Sequence, residues 1–309
     1  MRLHHHAIIT ALATLVLMTM GSLVHGTGSS LACPDWPLCH GSFFPAMIHG
    51  VEFEHTHRLI AAGVVLLTAT LLVRTLRLQR TAARNLVAAG CALVVVQAIL
   101  GGLTVIYRLP PAISIAHLAT SMAFLSVLVV AAVRLSPAYG PGPAAAGRNW
   151  LAVAAGLVYV QIVLGAVVRH TGAVLACVGM PLCNGDAWPE AALSRLHMVH
   201  RGVGVLALVV TCVASVHALR HAPTRSRRVI ALAPVVAALV QVSLGIALVL
   251  AYAPLDLVTL HHVGGAVLLG SLVLGWSLAH PCVDDEPHTR RDVTSHAHVL
   301  SLHRPEVGR

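Results

Sequence analysis

Apolar residues fall into eight long runs separated by short polar segments, at roughly 7–24, 57–75, 85–107, 112–133, 149–168, 200–219, 229–252 and 258–280. About 20 apolar residues in a helix cross the hydrocarbon of a bilayer, so each run predicts a transmembrane span. The second run is the shortest, with 15 largely apolar residues between Arg58 and Arg74, and it needs its flanking arginines to reach out to the headgroups. The pattern predicts an all-α polytopic membrane protein with eight transmembrane helices.

The runs are not independent of one another. Gly21-Ser22-Leu23-Val24-His25-Gly26-Thr27-Gly28 matches Gly165-Ala166-Val167-Val168-Arg169-His170-Thr171-Gly172. Cys33 and Cys39 map onto Cys177 and Cys183, Gln97 and Gly101 onto Gln241 and Gly245, and His117 onto His261, all at an offset of 144 (177 − 33, 241 − 97, 261 − 117). His57-Arg58 maps onto His200-Arg201 at 143 (200 − 57). Residues 1–140 and 141–285 are therefore expected to be two four-helix bundles of one plan, followed by a polar tail at 286–309. An even number of spans separates the copies, so a pseudo-twofold axis along the membrane normal should relate them. The first run has the character of a signal peptide. Its second copy lies mid-chain, and the first helix is expected to be retained.

Composition supports this class and removes others. The chain is 57% hydrophobic and 10% charged, far from the roughly one quarter charged of soluble domains. A net charge of +9 raises the question of nucleic acid, but all 20 basic residues are arginines and most flank the apolar runs. The positive-inside rule accounts for them, and no nucleic-acid partner is expected. Arg74, Arg77, Arg80 and Arg84, then Arg134 and Arg148, then Arg220, Arg225, Arg227 and Arg228, mark inner loops. Both termini should then lie in the cytoplasm and both cysteine loops outside the cell membrane.

Spacing of six residues around prolines suits a short disulfide loop at Cys33/Cys39 and at Cys177/Cys183, in a compartment that oxidises thiols. The alternative is a metal-binding dithiol, for which His40 is the one further histidine or cysteine at either loop. Cys91 and Cys212 read as small core residues.

His57, His117, His200 and His261 recur at matched places near the outer ends of spans, where ionisable residues are costly and rare. A neutral imidazole is a standard axial ligand of heme iron, and two histidines from facing helices can hold one iron. The alternative is polar contact between helices. A helix N-terminus would keep these rings neutral. Arg58 and Arg201, next to the first ligand of each pair, suit heme propionates or an interfacial anchor. The repeat register selects His261 over its neighbour His262. His4, His5, His6, His25, His49 and His55 have no partner of matching role and are expected in loops or tails. The halves differ three residues before the first ligand, where Glu54 stands in one and His197 in the other. A carboxylate on the ligand's helical face suits proton handling in one half only, or else it is a surface group of the headgroup zone.

Cys33-Pro34-Asp35-Trp36-Pro37-Leu38-Cys39, Glu54-x-x-His57-Arg58, His117, His200-Arg201 and Leu260-His261, in this order within eight spans, resemble the heme A synthases. The resemblance implies two four-helix bundles and oxidation of the C8 methyl of heme O to the formyl of heme A. It implies a heme b cofactor on the iron ligands His200 and His261, and substrate heme O facing His57 and His117. Glu54 takes the place of the functional glutamate, and Cys33/Cys39 that of the outer-loop pair. An electron donor and a heme O synthase are the implied partners. His25 departs from the resemblance, which has arginine there. The same ligands would also serve a diheme b-type cytochrome that only transfers electrons.

Overall fold

A computed structural model describes residues 2–78, 81–137, 148–222 and 224–279. Among these residues there are eight α-helices: α1 Leu3–Gly26, α2 Val51–Arg77, α3 Thr81–Ile106, α4 Pro111–Arg134, α5 Arg148–His170, α6 Ala192–Arg220, α7 Arg225–Leu250 and α8 Leu255–Leu278. All eight are long and apolar enough to cross a membrane. Their outward faces carry leucine and valine in bulk, with Leu66 68% and Val205 62% exposed. Such surface has no place in water and fits hydrocarbon. The chain is a multi-pass membrane protein, as its apolar pattern predicts.

Several buried threonines inside the helices are satisfied locally. Thr10, Thr14, Thr68 and Thr75 each donate to the carbonyl four residues earlier, at 2.8–2.9 Å. This back-bonding lets small hydroxyl side chains sit at helix contacts without an unmet donor.

α1 packs on α2 and α4, and α3 on α2 and α4, so the first four helices close a ring. α5 packs on α6 and α8, and α7 on α6 and α8, closing a second ring. The rings meet through α4 and α8, with α1 against α8 and α4 against α5. Exchanging α1–α4 for α5–α8 leaves this set of contacts unchanged. The largest core cluster straddles the junction, with Met18, Met122 and Leu125 from one side and Leu151, Leu269 and Leu272 from the other.

The backbone repeats in detail as well. Left-handed pairs at Arg108/Leu109 and Tyr252/Ala253 turn the chain between α3 and α4 and between α7 and α8. In each, an amide reaches back over the turn at 2.7 Å, Leu109 to Thr104 and Ala253 to Leu248. The cysteine loops share a cis proline (Trp36-Pro37, Met180-Pro181) and a short bridge, Cys39 to Ser42 and Cys183 to Asp186.

Two expectations change. α2 is not the shortest span: it has 27 residues, against 23 in α5. Glu52, Glu54 and His55 depress the hydropathy of its first turns, yet acidic groups are favoured at a helix N-terminus and the helix runs through them. Several histidines assigned to loops or tails are helical: His6 and His55 are buried, and half-buried His25 closes α1. The junction near 140 and the tail at 286–309 lie outside the described residues.

Candidate functional site

Each of the four paired histidines rests against a glycine of the preceding helix. A Cβ on Gly21 of α1 would stand 3.1 Å from Cε1 of His57, and one on Gly101 of α3 3.3 Å from that of His117. In the second half the distances are 3.0 Å from Gly165 to His200 and 3.0 Å from Gly245 to His261. Missing side chains thus make four notches, and a flat ring fills each. His57 and His117 lie near enough to influence each other's charge, as do His200 and His261. The rings belong to facing helices, α2 with α4 and α6 with α8.

Four residues before each glycine, one turn along the same face, sits a second repeated position. It is Gln97 on α3, Gln161 on α5 and Gln241 on α7. Gln161 Nε2 donates to the His200 carbonyl at 2.9 Å and lies 3.1 Å from the ring Nδ1. Gln241 Nε2 donates to the His261 carbonyl at 2.8 Å. On α1 the corresponding residue is Leu17, so His57 lacks this amide support. The rings sit seven to nine residues into their helices (57 − 51, 117 − 111 and 261 − 255 are each 6, and 200 − 192 is 8). That is deeper than the expected opening position, and the helix-end field has faded there.

The rings of His57, His117 and His261 each face a backbone carbonyl of the helix before, that of Leu17, Gln97 and Gln241 in turn, although their buried Nδ1 atoms make no full hydrogen bond. Buried imidazole nitrogens normally find one. Facing imidazoles, each seated in a notch and three of the four with an Nδ1 that makes no full hydrogen bond, fit axial ligation of a planar iron macrocycle. A tetrahedral metal is a poorer match, since each pair offers two nitrogens and no thiolate.

The loop that caps the first half is tied down by Glu54 and Arg58. Cys33 and Cys39 are fully buried, with their sulfurs 2.02 Å apart, and Cys177 and Cys183 are paired at 2.03 Å. His55 lies beside the first pair, its nitrogen within 4.8 Å of the sulfurs. Bonding distance between the sulfurs favours the disulfide over the metal-dithiol alternative. The Glu54 carboxylate accepts from the Cys33 amide at 2.8 Å and pairs with the Arg58 guanidinium at 2.5 Å. Arg58 also donates to the carbonyls of Asp35, Leu38 and Cys33. Arg201 grips its own loop likewise, through Gly179, Pro181 and Cys177, but with no acid at the position of Glu54. Both arginines hold loop backbone in this structure.

Asp35 holds the tip of the first loop. Its carboxylate accepts from the amides of Gly41 at 2.8 Å and His40 at 2.7 Å, which with the Arg58 charge keep its pKa below the usual aspartate value. Trp36 lies over α3, where a Cβ on Gly102 would come within 2.9 Å of the indole. The structure therefore brings together His57 with His117, His200 with His261, and Glu54 with the first cysteine loop. The notch glycines and the Leu17/Gln161 difference were present in the repeat, but only the contacts reveal what they do.

These features define a class: an eight-span membrane protein with a half-buried histidine pair in each four-helix ring. The COX15-CtaA family model, described as "Cytochrome oxidase assembly protein", matches residues 51–273. A protein of Bacillus pumilus (strain SAFR-032) called "Heme A synthase" is 32% identical over 228 residues, 70% of this chain and 74% of that one. Proteins with the same description in Shouchella clausii (strain KSM-K16) and Shewanella oneidensis are 29% identical over 260 residues and 27% identical over 312. These matches cover 79% and 86% of this chain, and 86% and 93% of theirs. The chain belongs to the COX15-CtaA family of cytochrome oxidase assembly proteins.

Proposed function

We propose that this protein is a heme A synthase, an enzyme that oxidises the C8 methyl group of heme O to a formyl group. The observation that carries this reading is a matched pair of histidine sites of which only the first has a buried carboxylate, Glu54, three residues before its leading histidine, where the second has His197. Two equivalent sites would serve electron transfer alone, whereas one modified site suits chemistry on a bound substrate. The shared description of the relatives points the same way.

The second half, residues 141–285, holds heme b, with His200 and His261 as its iron ligands. That cofactor supplies a low-spin centre that passes one electron at a time. Gly165 and Gly245 let the two rings sit flush against their neighbouring helices, and Gln161 and Gln241 fix the backbone behind them. The first half, residues 1–140, receives heme O between His57 and His117. His57 lacks the side-chain amide that Gln161 gives His200, which suits a ligand that must be exchanged at each turnover.

Glu54 takes up and returns protons at its carboxylate as the methyl group is oxidised. The Cys33 amide and Arg58 hold that carboxylate in place, and the disulfide loop, with Trp36 laid on Gly102, covers the outer end of the site. The cysteine loops face the outside of the cell membrane and both termini face the cytoplasm.

Extraction of heme from a heme O-producing host tests the assignment. The wild-type chain is expected to yield a formyl heme. Unchanged heme O, with the protein in the membrane and loaded with heme b, would leave it an electron-transfer cytochrome.

A further inference from the structure

Arg58 and Arg201 are committed to loop carbonyls, which raises the question of what meets the acidic edge of a bound heme. A further guanidinium, that of Arg169, lies near the second histidine pair. Arg169 stands four residues beyond Gly165, the notch for His200, and so one turn further out on the same face of α5. It is half-buried, and a Cβ on Gly26 at the end of α1 would be 4.0 Å from its Nη2.

Imidazoles surround it. The rings of His25 on α1 and His170 on α5 are 5.1 Å apart and tilted by 49°. His262, which follows the ligand His261 on α8, feels the charge of Arg169, as do His25 and His170. Three helices from both halves thus converge on one cation. Among the described residues Arg169 has neither a hydrogen bond nor an ion pair, and the one salt bridge found there is Glu54–Arg58. A partly buried guanidinium without a carboxylate is unfavourable unless an anion joins it, and its planar fork matches a carboxylate.

We propose that Arg169, flanked by His25, His170 and His262, is a carboxylate site that takes a propionate of the heme held by His200 and His261. The proposal rests on the heme b reading of that pair. His262 contributes as a neighbour of the anion and not as an iron ligand, which gives the doubled His261-His262 two separate tasks.

The test compares heme b with its dimethyl ester, which keeps the macrocycle and iron but has no free carboxylate. Full-length protein from a heme-deficient host, purified in detergent, is titrated with each and followed at the Soret band. Wild type should bind the diacid about tenfold more tightly than the diester, the worth of a charge-assisted pair. Arg169→Gln should lose most of that preference and bind the diester as wild type does. Arg169→Lys, with charge but no fork, should fall between them.

A wild-type-sized preference in Arg169→Gln overturns the proposal, as does a wild type that binds both forms equally. The second outcome is decisive even if the variants fail to fold. Absence of a Soret shift with either porphyrin in wild type would instead remove the heme b reading beneath it.

Discussion

At the scale of single residues the sites depend on atoms that are missing. Gly165 and Gly245 leave 3.0 Å between an added Cβ and a histidine ring, closer than side chains normally pack. Gly245→Val should displace His261 and abolish the low-spin heme spectrum of the purified protein. Gly63→Ala and Gly156→Ala are the controls, since nothing lies within 4 Å of a Cβ at either position. Each should leave the spectrum intact and stabilise its helix by about 0.5–1 kcal/mol, the usual gain of alanine over glycine in a helix, read by thermal unfolding.

Asp35 gives a pH-dependent prediction. Its folded pKa is depressed below 3.8 by amide donors, so its contribution is present at neutral pH and is lost as pH falls through the folded value. Hydrogen exchange at the loop tip, intrinsic acid dependence subtracted, should rise below pH 3.8 in wild type. Asp35→Asn should show open-loop exchange already at neutral pH. The repeat made the histidine pairs legible, because each histidine recurs at a matched place in the other half. It could not show where the side chains of Arg58 and Arg201 point, since both a heme edge and a loop carbonyl attract a guanidinium.

At the scale of elements, the first turns of α2 join cap to site. Hydropathy begins the span at His57, because charged residues before it lower the average. The helix begins at Val51, and only this places Glu54 and Arg58 on one face beneath the loop. Arg58→Ala would remove donors to three loop carbonyls and leave the buried Glu54 carboxylate with the Cys33 amide. Breaking a buried pair costs about 3–5 kcal/mol. The fully buried Cys33–Cys39 bond should then be reduced at least tenfold faster by a phosphine, while Cys177–Cys183 keeps its wild-type rate. Arg201→Ala should reverse the pattern. Equal reduction rates at both loops in either variant would show that the arginines do not hold them shut.

Trp36 on Gly102 is a feature of the first half alone, since the equivalent positions are Met180 and Ile246 (36 + 144 and 102 + 144). Gly102→Val should push the indole off α3. If the loop covers the substrate, heme A production should fall several-fold with heme b content unchanged. Production at the wild-type level would separate the loop from catalysis.

For the whole molecule, eight spans and their duplication followed from hydropathy and an offset of 143 to 144 residues. How the two rings dock did not. The α1, α4, α5 and α8 junction is built from apolar residues that resemble any lipid-facing surface, and only packing distinguishes Leu125 or Leu272 from an exposed leucine such as Leu66. The same junction brings Arg169 beside His25 at the ends of α5 and α1; they are equivalent positions of the repeat (25 + 144 = 169), but the offset alone did not show that they meet.

Division of labour between the rings is the central claim, and His57→Ala tests it most directly. The variant is purified from a heme O-producing host, and its hemes are quantified by type against protein. One heme b per chain with no heme A is the predicted result, because the ligands of heme b lie in the other ring. Loss of heme b, or heme A at the wild-type yield, would contradict it.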